Sequence, residues 1–157
     1  MICFYPHVPD ISGPLKTPHP SIFLLGSEDL GDVWQIRAAR KIEPKIACVF
    51  SAYPHVEKLD RHLYLEWLFY WLEEVDCILF WLQSPKDYRQ PFTWPSFELG
   101  VVAERKKPLI VGVEKKNGDL AENLAALLSI FKWNGIIHRE LEEAINEVEN
   151  TIRFLRR

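Results

Sequence analysis

The side chains best placed for chemistry lie in the run Phe92-Thr93-Trp94-Pro95-Ser96-Phe97-Glu98-Leu99-Gly100. Glu98 supplies a carboxylate able to act as a nucleophile or base. Thr93 and Ser96 supply hydroxyls close before it, and Trp94 a flat apolar wall. Asp76 opens the apolar segment that precedes this run. Gly26-Ser27-Glu28-Asp29 and Ser51-Ala52-Tyr53 follow two earlier apolar segments. An acid in the first turn of a helix, just past the C-terminal end of a parallel strand, stands where open α/β sheets bind their ligands. The plainest role for Glu98 there is to complement the helix dipole. Ser96, after Pro95, has the type of an N-cap.

Alternating strand-like and helix-like segments position these groups. Residues 1–20 hold Pro6, Pro9, Pro14, Pro18 and Pro20 and are expected to form an extended arm. Residues 21–157 are expected to form one domain. Ser21 to Gly26 is a continuous apolar run ending in glycine, the pattern of a buried parallel strand. A helix is expected over 30–42, stopped by Pro44, then a strand over 45–52 and a long helix over 58–75. A strand from Asp76 to Leu82, the Glu98 helix to about Lys106 and a strand from Pro108 to Val113 follow. A helix over 120–132, a short strand over 135–138 and a charged helix over 139–157 complete the chain. Strands and helices in alternation predict a three-layer α/β sandwich around a mostly parallel sheet of about five strands.

The helix over 58–75 is apolar nearly all round, from Leu63 and Leu65 through Trp67, Leu68, Phe69, Tyr70, Trp71 and Leu72 to Val75. Such a helix is buried all round. Either it is wholly internal beneath the N-terminal arm, or one face meets a second subunit. The tendency of large apolar patches to mark interfaces favours a homo-oligomer, a dimer or larger.

Composition narrows the classes. A chain of 157 residues with 48% hydrophobic and 26% charged residues is that of a soluble globular domain. A net charge of -3 disfavours a general nucleic-acid or membrane-surface binder. No apolar run is long enough for a membrane span, and the N-terminus lacks the pattern of a signal peptide, so a cytoplasmic protein is expected. Cys48 and Cys77 fall in expected strands and are read as core residues of a reducing compartment. Six tryptophans predict a pocket or interface with flat apolar walls. There is no phosphate loop, no G-x-G-x-x-G after the first strand and no G-x-S-x-G elbow. His7, His19, His55, His62 and His138 show no metal-ligand spacing, and no metal site is expected.

Three blocks together resemble the nucleoside 2-deoxyribosyltransferase-like family. They are Ser21-Ile-Phe-Leu-Leu-Gly-Ser27 with Trp34-Gln35, then Glu66-Trp67 through Val75-Asp76-Cys77-Ile78-Leu79-Phe80-Trp81, and finally Ser96-Phe97-Glu98-Leu99-Gly100 with Pro108-Leu-Ile-Val-Gly112. The resemblance spans roughly residues 20 to 114. It implies a flavodoxin-like sheet and N-glycosidic bond chemistry on a (deoxy)nucleoside or nucleotide, with Glu98 as nucleophile and no cofactor. It further implies contacts to sugar or base by Asp76, Thr93 and Ser96, and a base pocket shaped by Gly26, Ser27, Trp34 and Trp94. The family's D-x-G-x-x-x-E pattern is not kept: residues 92–97 contain neither acid nor glycine. A glycohydrolase acting on NAD, and a nucleotide-binding module without catalysis, are the alternative functions.

Overall fold

The structure, a computed structural model, describes residues 3–4, 20–26, 34–42, 46–50, 61–83, 93–115 and 118–155. Of these, the side chains at 3–4, 47–50, 61–64, 93–97 and 118 are left out of the description. Strands β1 (Cys3–Phe4), β2 (Ser21–Gly26), β3 (Ala47–Phe50), β4 (Cys77–Leu82), β5 (Leu109–Val113) and β6 (Ile137–His138) form one sheet. Helices α1 (Trp34–Lys41), α2 (Arg61–Glu74), α3 (Thr93–Glu104), α4 (Gly118–Ile130) and α5 (Leu141–Leu155) cover it. All strand pairs are parallel, in the order β1-β3-β2-β4-β5-β6. The body of the sheet is four strands, β2 to β5, with a two-residue strand at each edge. The expectation of about five strands is corrected accordingly. The N-terminal segment contributes β1, which extends the sheet beside β3.

Period-two alternation in the apolar strands divides the core between two faces. Ile22 and Leu24 of β2 join Cys77, Leu79 and Trp81 of β4 on the face covered by α1 and α5. Phe23 and Leu25 join Ile78, Phe80 and Leu82 on the face covered by α2, α3 and α4. Strands buried on both sides need no polar alternation, which is why β2 and β4 are apolar throughout. In α5, Leu141, Ala144, Ile145, Val148 and Ile152 recur at helical spacing and form its single buried stripe.

The described side chains of α2 divide between the core and the surface. Trp67, Leu68, Trp71 and Leu72 are buried, and Trp67 meets Phe23 edge to face at a centroid separation of 5.5 Å. Phe69 is 36% exposed, with the Arg105 guanidinium over its ring at 5.3 Å. Among the described residues, no helix is long and apolar enough to cross a membrane.

Candidate functional site

The chain passes from β2 outward to β3, then returns past β2 to β4. The helices that follow β2 and β4, α1 and α3, lie on opposite faces of the sheet, so the C-terminal ends of these two strands form its topological switch point. This switch point is where open α/β sheets bind ligands. Gly26 ends β2 there with φ 140°, directly beside Trp81 of β4. The positive φ admits glycine and strains other residues.

Glu98 lies on α3, a helix that packs against β2. It is the sixth residue of α3, in the second turn rather than the first, because the helix begins at Thr93. Ser96 is accordingly a helical residue and not the N-cap. Pro95 is accommodated at the third position, where backbone N–H groups lack intrahelical acceptors in any case. At the second turn the dipole acts more weakly, so complementing the helix end does not account for Glu98. The residue is 1% exposed. Burying a carboxylate is costly, and its retention in a dry position calls for a specific role.

The buried polar residues point the same way. Among the described residues they are Ser21, Gln35, Gln83 and Glu98. Gln83 directly follows β4, Gln35 is the second residue of α1, and Glu98 lies in α3. Chain topology therefore places three of the four at the C-terminal end of the sheet. The sequence reading passed over Gln35 and Gln83 as site residues. The available signal was an amide closing the apolar run of β4, and another beside Trp34.

The other expected site residues divide. Ser27 lies outside the described residues. Thr93, Trp94 and Ser96 supply the first-turn backbone of α3, and their side chains lie outside the description. Trp34 begins α1 but is 0% exposed, packed into the core with Ile22, Leu24 and Trp81. With no exposed face, its ring is a core element rather than a stacking platform. Asp76 precedes β4 at the N-terminal end of the sheet. Its carboxylate accepts from the Ser21 backbone N–H at 2.7 Å and from the Ser21 hydroxyl at 3.3 Å. Five residue steps along the strand take the chain from Asp76 to Trp81, about 16 Å at ~3.3 Å per residue. Asp76 thus ties the starts of β2 and β4 together and is not brought to Glu98.

No group of three or more His, Cys, Asp or Glu side chains suited to a metal ion occurs among the described residues. No protein-family model matches this sequence, and no relative is found among curated proteins.

Proposed function

We propose that this chain cleaves or transfers the N-glycosidic bond of a (deoxy)nucleoside or nucleotide, with Glu98 as the nucleophile of a flavodoxin-like domain. The observation that carries the proposal is a carboxylate 1% exposed, on the helix that follows β4, at the switch point of a parallel sheet. The three-block sequence resemblance supports the choice of reaction. Counted from β2, the strands run 2-1-3-4-5, the flavodoxin-like order.

In the proposed reaction, a Glu98 oxygen attacks the anomeric carbon. The bond to the base breaks, its electron pair leaves with the base nitrogen, and that nitrogen takes up a proton. The glycosyl ester on Glu98 is then opened at the same carbon by water or by a second base, which regenerates the carboxylate. Splitting one hard displacement into two easier ones is the logic of retaining glycosidases. The negative charge of Glu98 favours the oxocarbenium-like transition state of each step. Asp76 and Trp34 have no part in this scheme.

A base-release assay tests it. Wild type and Glu98→Gln are incubated with deoxynucleosides, their 5′-monophosphates and NAD, with and without a second free base. Free base from wild type alone supports the reaction, and the preferred substrate separates transferase, nucleotide hydrolase and NAD glycohydrolase. No release by folded wild type on any substrate refutes it in favour of a binding module.

A further inference from the structure

The outer face of α5 carries a charge pattern that the helix itself does not use. Leu141, Ala144, Ile145, Val148 and Ile152 fill its buried stripe. The opposite stripe is Glu143, Asn146, Glu147, Asn150, Arg153 and Phe154, all exposed. Acids occupy the N-terminal half of this stripe and a cation the C-terminal half. Phe154 stands beside that cation with 76% of its surface exposed.

Glu143 and Glu147 are four residues apart on one face, the spacing at which like charges destabilise a helix. Neither makes an ion pair among the described residues. Glu143 sits in the first turn, where the helix dipole favours an acid. Glu147 is the seventh residue of α5, beyond the reach of that effect. Arg153 approaches Glu149 of its own helix at 3.5 Å and remains exposed, with further guanidinium donors to offer.

We propose that this stripe is the contact between two copies of the chain, with their α5 helices antiparallel about a twofold axis beside Asn150. In that register, residues equally far before and after Asn150 face one another. Glu147, three residues before, meets Arg153 of the second copy, three residues after, and symmetry makes the pair occur twice. Asn146, four residues before, meets Phe154 of the second copy, four residues after, so the partner helix covers the exposed ring. A parallel pairing would set Glu147 against Glu147 and Arg153 against Arg153, so charge selects the antiparallel arrangement. A contact made by one helix pair is small, and the association is correspondingly weak. It lies on the sheet face opposite α3 and does not rest on the reaction proposed for Glu98.

Sedimentation equilibrium of the full chain at protein concentrations up to the millimolar range tests it. Wild type is expected to show a monomer–dimer equilibrium that weakens as salt is raised. Glu147→Arg and Arg153→Glu should each weaken the dimer by about tenfold or more, because each places two like-charge contacts at the axis. Phe154→Ser should weaken it as well. Mixed in equal amounts, the two charge-reversed variants should form a heterodimer close to wild type in strength, since opposite charges then face one another at both contacts. That recovery separates a lost contact from a loosened helix end, which mixing cannot repair. A wild type that stays monomeric throughout, a dimer indifferent to either charge reversal, or charge-reversed variants that remain monomeric when mixed would overturn the proposal.

Discussion

Gly26 and Trp81 face one another across the β2–β4 ladder so closely that a Cβ on Gly26 would lie 2.0 Å from the Trp81 carbonyl oxygen. On the other flank of Trp81, Gly112 of β5 is its ladder partner, and a Cβ there would lie 2.3 Å from the Trp81 ring. One large side chain is thus bracketed by two residues that have none. The two glycines serve different ends. Gly26 ends β2 with a φ of 140° against the Trp81 backbone, and Gly112 leaves room for an indole.

Alanine substitutions at the two positions should therefore differ. At Gly26 the obstacle is main chain, and φ 140° adds conformational strain. Gly26→Ala should lose about 2–4 kcal/mol of stability. At Gly112 the obstacle is a ring able to shift, and Gly112→Ala should lose about 1–2 kcal/mol. Urea unfolding of the two variants beside wild type measures the order. A smaller loss at Gly26 than at Gly112 contradicts this account.

Asp76 separates a structural role from a catalytic one. Its carboxylate accepts both the backbone N–H and the hydroxyl of Ser21. Asp76→Asn keeps one acceptor oxygen and removes the charge, so stability should fall by about 1 kcal/mol. Base release per folded molecule should stay within about twofold of wild type, because the carboxylate is engaged with Ser21 at the N-terminal end of the sheet. Denaturant midpoints together with initial rates decide the matter. Loss of the rate without loss of stability would return Asp76 to the site.

The layers were legible because burial writes itself into the pattern of residue types. β2 and β4 are continuous apolar runs, and only a sheet covered on both faces asks for that. The heptad-like stripe of α5 announced a helix with one buried side. What escaped was anything decided by the third dimension. Trp34 and Gln35 are adjacent in sequence and both fully buried, and nothing in the string tells a stacking tryptophan from a core one. Asp76 opens β4 and only the family resemblance joins it to Glu98; the structure ties it to Ser21 at the start of β2. The start of α3 was misplaced because Pro95 looks like a boundary. It is in fact tolerated inside a first turn. Trp67 and Trp71 of α2 are buried against the chain's own sheet and helices, which the sequence pattern alone does not distinguish from an exposed face.

Cys77 offers a pH-dependent test of the core. Burial pushes its thiol up to about 12 from an ordinary 9.0. The folded state therefore keeps a proton that the unfolded state releases. The stabilisation is complete below pH 9 and is lost as pH rises from 9 towards about 12. A thiol reagent at about pH 8 should leave Cys77 unmodified in the native protein and label it in urea, since the thiolate is the reactive form. Mass spectrometry of peptides containing Cys77 reads this directly. Above pH 9, the fall of stability with pH should be shallower in Cys77→Ala than in wild type.

Glu98 carries the functional proposal, and its two shortest substitutions test different parts of it. Glu98→Gln preserves volume and hydrogen-bonding capacity but removes the nucleophile. Base release should drop by roughly three orders of magnitude or more, the scale seen when a nucleophile is deleted. Its stability should stay within about 1 kcal/mol of wild type, because the amide fills the same buried volume. Glu98→Ala should lose the reaction equally and also leave space at a buried position, with a stability cost of about 1–3 kcal/mol. Substrate should still protect both variants against thermal unfolding, since neither change removes the other groups proposed to bind it. Base release at the wild-type rate by folded Glu98→Ala would show that another group performs the attack.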